Sequence, residues 1–372
     1  MPAATPLFHE YSQLAEHLPH IPLGEFPTPV ENATCLADAL GLRRLFIKRD
    51  DLSGRIYGGN KVRKLEFLLG DALRRDAREV VTVGFAGSNH TLATTIYAGQ
   101  AGLASVSMLM PQPNAHYVQR NLLASHAFRA ELHHYRNLTQ LSLGMIGLNL
   151  RGMTCHARRP HYIPAGGSCP LGVVGYVNAA LELRDQIRAG VLPEPDVIYV
   201  ALGSMGTAAG LALGLHAAGV RSRIVAVRVI EERWAPRQQL FRLLCQTDAL
   251  LRRFAPAFPQ WDATQGNLVL RDDCLGEGYA RFTADGVQAA ELLQTHAGLP
   301  LNGAYSAKAF AALLTDARQS RLADKNVLFW NTYNSRDLSA VTSGVDYHQL
   351  PPPFHRYFEE DVQPLDRVAA AG

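Results

Sequence analysis

Short apolar runs rich in β-branched residues alternate with longer stretches of helical periodicity along almost the whole chain, and this alternation restricts the fold more than any other feature. The apolar runs cover residues 44–48, 79–83, 104–109, 130–134, 197–202, 223–229 and 327–331. Helical periodicity fills residues 61–75, 90–100, 117–124, 172–189, 207–218, 285–294 and 306–319. Strands interleaved with helices form parallel sheets covered on both faces, so the expected class is α/β, with open, mostly parallel sheets flanked by helices. At 372 residues the chain exceeds what one hydrophobic core serves, and two domains are expected. Pro193-Glu194-Pro195-Asp196 marks a turn just ahead of the strand at 197, and Pro351-Pro352-Pro353 opens what reads as an irregular tail.

Composition removes several function classes. Lys and Arg number 36 against 33 Asp and Glu, a balance that gives no support to nucleic-acid binding. The basic stretch Arg151 to Arg159 lacks aromatic stacking partners and reads as a solvated loop or strand edge. Cys35, Cys155, Cys169, Cys245 and Cys274 are scattered, odd in number and without a C-x-x-C pair, which argues against a disulfide framework or a zinc site. His133-His134 lies in a strand-like run where neighbouring side chains face opposite ways, so it is no chelate. The start of the sequence lacks a basic segment followed by an apolar one, and no apolar run approaches a membrane span. The expectation is a soluble, cytoplasmic protein without a metal, nucleic-acid or membrane partner.

Three glycine turns carry the chemistry. In Gly58-Gly59-Asn60-Lys61-Val62-Arg63-Lys64, a flexible turn gives way to an amphipathic helical run. An ammonium there meets the positive end of the helix dipole, which favours the neutral, nucleophilic amine and suits Lys61 to hold an aldehyde as a Schiff base. Gly203-Ser204-Met205-Gly206-Thr207 follows an apolar strand and opens a helix, so its amides and hydroxyls cradle one phosphate. Its G-x-x-G spacing and the arginine closing the next strand, Arg228, exclude a dinucleotide fingerprint. Ser88-Asn89-His90 ends another strand, where free amides suit a substrate carboxylate and where Ser88 equally suits a helix N-cap. A nucleotide P-loop fails because Asn60 precedes the lysine and Val62 stands where a hydroxyl must reach magnesium. No G-x-S-x-G elbow or H-E-x-x-H metal motif occurs.

A Schiff-base lysine, a one-phosphate cradle and a carboxylate turn on an α/β scaffold together specify pyridoxal 5'-phosphate chemistry on a small amino acid. Gly58 to Glu66, Ser88-Asn89-His90, Ala165-Gly166-Gly167-Ser168, Pro170-Leu171-Gly172 and Gly203 to Thr207 resemble the D-cysteine desulfhydrase and 1-aminocyclopropane-1-carboxylate deaminase family. That resemblance runs from about Ile21 to Asn334 and implies the two-domain fold type II of tryptophan synthase β. It implies a small domain over residues 65–164 set into a large one made of 1–64 and 165–372, and a homodimer. By the same resemblance Lys61 carries the cofactor and shuttles the α-proton, Asn60 bonds the cofactor's phenolic oxygen, and Gly203, Ser204, Met205, Gly206 and Thr207 hold its phosphate. Ser88, Asn89 and His90 receive the substrate carboxylate, with Ser88 also placed as a catalytic proton relay, and Tyr279 and Tyr305 match two catalytic active-site tyrosines.

Several positions depart from the family pattern: Gly87, Leu92, Met205, Asn302-Gly303-Ala304 and Asn331-Thr332-Tyr333-Asn334. Most of these are expected on the ligand side, and Met205 is expected to keep a negative φ with its side chain turned away. Ser306 and Thr332 stand where the cofactor's ring nitrogen would find a partner, and a hydroxyl there leaves the ring largely neutral. A neutral ring suffices to eliminate a thiolate but suits an unactivated cyclopropane less. The favoured activity is therefore a D-cysteine desulfhydrase-like lyase giving keto acid and ammonia. The alternatives are a 1-aminocyclopropane-1-carboxylate deaminase or another β-eliminating lyase and, in a different class, an inactive pyridoxal-phosphate-binding protein.

Overall fold

The computed structural model describes residues 5–155, 160–262 and 266–371. Its strands are β1 (Val30–Asn32), β2 (Arg44–Lys48), β3 (Glu79–Phe85), β4 (Ala104–Met110), β5 (Glu131–His134), β6 (His161–Ile163), β7 (Val197–Leu202), β8 (Arg223–Arg228), β9 (Leu268–Arg271) and β10 (Asn326–Trp330). They form a six-stranded sheet in the order β1-β2-β10-β7-β8-β9 and a four-stranded sheet in the order β5-β4-β3-β6. Only β1 runs antiparallel, with Val30 opposite Lys48. The other pairings are parallel. The short β1, β6 and β9 escape the sequence reading because three or four residues carry too little alternation to stand out.

The longer helices are α1 (Lys61–Arg74), α2 (Asn89–Gln100), α3 (His116–Ala127), α4 (Leu138–Cys155), α5 (Pro170–Arg188), α6 (Gly206–Ala217), α7 (Arg237–Phe254), α8 (Ala284–Ala297) and α9 (Ser306–Arg318). Helices α5, α6 and α7 cover one face of the large sheet, where Ile198, Val200, Ile224 and Leu328 meet Val177, Leu211 and Leu244. Helices α8 and α9 cover the other, where Tyr199, Val225 and Phe329 meet Leu293 and Phe310. The alternation of side chains along each strand makes this two-sided burial possible. Helix α1 is no half-exposed amphipath: Val62 to Ala72 are all buried, charged members included.

Two expectations require correction. Arg151 to Cys155 are not loop or strand edge but the end of α4, and residues 156–159 lie outside the described residues. Arg151 pairs with Glu131 and, at 3.4 Å, with Glu79, so these carboxylates recruit the arginine to the rim of the small sheet. The tail after Pro351 is not irregular. It forms the turns Pro352–Phe354 and Arg356–Glu359 and the helix Pro364–Ala371. Leu350, Phe354 and Tyr357 pack into a cluster with Leu109, Val118 and Leu132, and the Tyr357 hydroxyl accepts from Gln112 N at 3.1 Å. Apolar residues spaced too irregularly for a periodicity test are thus ordered by a partner distant in sequence.

A buried charge network holds the start of α1. The Asp50 carboxylate accepts from Arg63 Nε (3.0 Å) and Nη2 (2.7 Å), Thr28 Oγ1 (2.9 Å), Tyr176 Oη (2.6 Å) and Trp330 Nε1 (2.7 Å). Glu182 of α5 accepts from Arg63 Nη1 at 2.9 Å and from Lys48 Nζ at 2.6 Å. Burial opposes ionisation of Asp50, but the Arg63 guanidinium, with Lys48 and the Tyr176 hydroxyl, holds its carboxyl below the usual range. Asp50→Asn leaves Arg63 short of a counter-charge, and the expected loss is about 3–5 kcal/mol in chemical denaturation. Because the folded-state pKa is depressed, this stability is present above the ordinary aspartate value of about 3.9 and fades as pH falls below it. The acid sensitivity of Asp50→Asn should therefore be flatter than that of the unmodified protein.

Candidate active site

The carboxyl ends of β3, β4, β7 and β10 converge on one cleft between the two sheets, the place where open parallel sheets bind ligands. Its interior holds about 260 Å³ and is lined by Asn60, Lys61, Ser88, Asn89, His90, Gly203, Ser204, Met205, Thr207, Tyr279, Tyr305 and Thr332. Of the cofactor-binding, substrate-binding and catalytic residues expected from sequence, Gly206 alone is not on that lining.

Lys61 is the first residue of α1. The turn before it is pinned by Gly58 N to Asn334 Oδ1 (2.6 Å), Gly59 N to Asp50 O (2.7 Å) and Asn60 N to Thr332 O (3.1 Å). A Cβ on Gly58 would stand 1.8 Å from Asp51 O, so only glycine lets the chain pass there. Burial lowers the Lys61 pKa to about 8, which leaves an appreciable share of neutral amine near pH 7–8.

The turn expected from sequence to cradle a phosphate lies where β7 passes into α6. Gly206 N donates to Ser204 O at 2.9 Å and to Ser168 Oγ at 3.2 Å, and Ser168 Oγ donates to Ser204 Oγ at 2.8 Å. Lys64, one turn beyond Lys61, donates to Gly166 O at 3.0 Å and Ser168 Oγ at 3.3 Å. A Cβ on Gly206 would lie 2.6 Å from Ser168 Oγ and 2.7 Å from Lys64 Nζ. Gly203 instead opens onto free space, with nothing closer than 3.9 Å to an added Cβ. Pyridoxal phosphate fits these residues: hydroxyls, the Lys64 amine, whose pKa burial and the nearby Lys61 hold well below the usual lysine range, and helix-end amides converge on one spot, with the Lys61 amine one helical turn away. Asn60 Nδ2 donates to Thr207 Oγ1 at 3.0 Å, which holds the amide on the cofactor side.

Met205 departs from expectation. Its φ is +70° rather than negative, at the centre of a γ-turn closed by the bond from Gly206 N to Ser204 O. That backbone is rare and strained for any side chain. The Met205 side chain joins the core behind α6 and also lines the cleft, so packing holds the residue in the turn.

On the opposite wall Ser88 caps α2, its Oγ accepting from His90 N at 3.2 Å and Thr91 N at 3.3 Å. Capping leaves the hydroxyl proton free to point into the cleft, so the two sequence readings of Ser88 are compatible. Asn89 Oδ1 accepts from Tyr57 Oη at 3.1 Å and Asn121 Nδ2 at 2.9 Å. The His90 ring is committed to the strand behind it: Thr82 Oγ1 donates to Ile163 O at 2.9 Å and therefore accepts from His90 Nε2–H at 3.0 Å. Burial, with Lys61 and Lys64 nearby, holds that imidazole well below its usual pKa, so it is neutral.

Tyr279 and Tyr305 share a hydroxyl-to-hydroxyl hydrogen bond, and burial pushes both above the usual phenol range. Phe85 packs at a tilt against Tyr279 with ring centres 4.5 Å apart and meets Trp234 edge-on at 5.9 Å. Of the positions that depart from the family pattern, only Met205, Thr332 and Tyr333 reach the cleft. Leu92 is buried under α1, and Gly87 packs on Tyr117 and Val118, so most of these changes do not face the ligand as expected. Sequence reading missed Lys64, Ser168, Phe85 and Trp234. The i, i+3 spacing from Lys61 could have found Lys64 and the glycine turn Ala165-Gly166-Gly167 could have found Ser168, but Phe85 and Trp234 carry no local signal. Among the described residues no cluster suited to a metal ion occurs, and no helix is long and apolar enough to cross a membrane.

A family model described as pyridoxal-phosphate dependent enzyme matches residues 21–332. A D-cysteine desulfhydrase from Klebsiella pneumoniae is 34% identical over 319 residues, covering 84% of this chain and 93% of that protein. The crystal structure of an ACC deaminase homologue superposes with a TM-score of 0.75 at 30% identity, over 89% of this chain and 98% of that one. A threonine deaminase from Solanum lycopersicum shares the fold with a TM-score of 0.60 at 17% identity.

The strain at position 205 can be measured. Met205→Ala and Met205→Gly both remove the side chain, so their difference isolates the backbone. Met205→Gly should be the more stable by about 1 kcal/mol in denaturant titrations, the reverse of the order at an ordinary helical site. Equal stabilities would mean that the turn is unstrained.

Proposed function

The chain belongs to the pyridoxal-phosphate-dependent enzymes, and from that membership we propose that it is a β-eliminating amino-acid lyase of the D-cysteine desulfhydrase kind. The cofactor, when bound, supplies the electron sink that makes an amino acid's α-proton removable. Lys61, Lys64, Ser168, Ser204 and Thr207 would hold it. The observation that carries the reading is the cleft lining, where Lys61 faces the cradle, the α2 turn and the tyrosine pair, while no Asp or Glu takes part. Ser306 and Thr332 offer only hydroxyls, and neither Glu231 nor Asp262 lines the cleft, which favours the weaker sink sufficient for a thiolate leaving group.

In this reading the Lys61 amine, partly neutral at its pKa of about 8, takes the α-proton. The amides at the start of α2 and the Asn89 side chain orient the substrate carboxylate. The bonded hydroxyls of Tyr279 and Tyr305 hold a proton beside the leaving group, and the buried aromatic wall of Phe85 and Trp234 excludes water from it. Incubation with D- and L-cysteine should yield pyruvate, sulfide and ammonia from one enantiomer, and Lys61→Ala should lower turnover by roughly 100-fold to 10,000-fold. The likeness to the ACC deaminase homologue favours a second reading, deamination of 1-aminocyclopropane-1-carboxylate. If that compound proves the best substrate, the elimination reading is overturned.

The same reading includes a homodimer in a reducing compartment, with a small domain over residues 65–164. Leu143, Ile146, Leu150 and Met153 on α4 stand exposed at spacings of three, four and three, a seam that suits a second copy of the helix. Cys35, Cys169, Cys245 and Cys274 are free thiols, the state that a reducing compartment maintains. Sedimentation should give a dimer, and Ile146→Glu combined with Leu150→Glu should give a folded monomer. A monomeric unmodified protein would remove the proposal.

A further inference from the structure

The cleft continues past the reaction centre into an apolar arm. Its wall is made by Val83, Phe85, Met110, Leu141, Ile230 and Trp234. Side chains of β3 alternate, so Val83 and Phe85 share the face covered by α4, and Leu141 of that helix closes the arm from above. Leu138, also on the lining, is 52% exposed and marks the mouth. The contacts from Phe85 to Trp234 and Tyr279 tie this wall directly to the tyrosine pair. Among the described residues Lys61 is the one cationic side chain on the lining, His90 is neutral, and neither carboxylate nor guanidinium reaches the arm.

A substrate as small as cysteine would leave this wall facing water, and a substrate with a charged side chain would find no partner there. We propose that the arm receives a large apolar group carried on the substrate's sulfur, so that the preferred substrates are cysteine thioethers bearing an aromatic or branched alkyl substituent. This rests on the elimination reading above. In the reaction Lys61 Nζ takes the Cα proton, and the Cβ–S bond breaks with its electron pair on sulfur. The departing thiolate, held by hydrogen bonds from the tyrosine pair, takes up the proton that Lys61 carries, which returns the amine to its neutral form. Water then converts the released 2-aminoacrylate into pyruvate and ammonia. The sum is thioether plus water to thiol, pyruvate and ammonia, with no change of oxidation state. The α4 helix, which presents Leu138 and Leu141, thereby sets the length of substituent that fits.

S-benzyl- and S-methylcysteine have similar leaving groups and differ chiefly in the arm they would fill. In the holoenzyme, kcat/KM for the accepted enantiomer of S-benzylcysteine should exceed that of S-methylcysteine by at least about tenfold. Their non-reacting isosteres, 2-amino-5-phenylpentanoate and 2-aminopentanoate, give a readout independent of turnover. Calorimetry should show the phenyl compound binding about tenfold or more tightly. Leu138→Asp, at an exposed position that the fold tolerates, should erase most of that ratio, and Leu141→Ala should reduce it. Equal or weaker binding of the phenyl compound overturns the proposal. Absence of keto acid from every cysteine derivative overturns the elimination reading instead, and the calorimetric ratio then still decides the arm.

Discussion

The ion network of Asp50, Arg63, Glu182 and Lys48 is the constraint on which the rest of this molecule depends. It joins the end of β2, the first turn of α1, the middle of α5 and the end of β10 through Trp330, all without solvent. Two carboxylates meet two cations, so the desolvation each would suffer alone is offset by its neighbours and by the hydroxyls of Thr28 and Tyr176. Arg63 lies two residues beyond Lys61. Fixing the guanidinium therefore fixes the direction in which α1 begins and the side of the helix from which the amine projects. Packing of apolar groups alone would tolerate a small rotation of that helix, whereas five directed bonds to one carboxylate do not.

With α1 held, the cleft is assembled from strand ends. The turn after β3 brings Ser88 and the start of α2, the turn after β7 brings the phosphate cradle, and β10 ends in Thr332, whose carbonyl receives Asn60 N. Each contribution is a backbone passing close to another backbone. Gly58 and Gly206 sit where a Cβ would collide, and Met205 shows the other outcome, a side chain retained in a backbone that opposes it. Its thioether joins the core beneath α6, so what the turn loses in strain is offset by burial. Rigidity of this kind suits the proposed phosphate site, where amides and hydroxyls would be presented without rearranging.

Burial also decides the chemistry of the individual groups. Lys61 is shifted by desolvation, His90 is held neutral by desolvation and by two lysines, and the Tyr279–Tyr305 pair keeps its protons because no charge can be solvated there. The helix dipole inferred from the position of Lys61 acts in the same direction as burial, but the extent of burial arises from chain segments far away in sequence. The tail follows the same logic. Phe354 and Tyr357 settle onto the small-sheet side only because β4 and α3 present an apolar surface to them.

Sequence alone determined the layered α/β class, the strands with continuous apolar runs, and the three glycine turns, because each is a local pattern of period or of backbone freedom. It placed Lys61 at a helix start and Ser204 and Thr207 at another, since a glycine turn between a strand and a helix is encoded within about ten residues. Tertiary structure alone decided that Lys64 and Ser168, 104 residues apart, would share the cradle. It also decided that Phe85 and Trp234 would wall an arm, that α4 would cover it, and that Met205 would take a positive φ. These outcomes are set by which surfaces meet once the sheets have formed, and no residue's own neighbours in sequence carry that information.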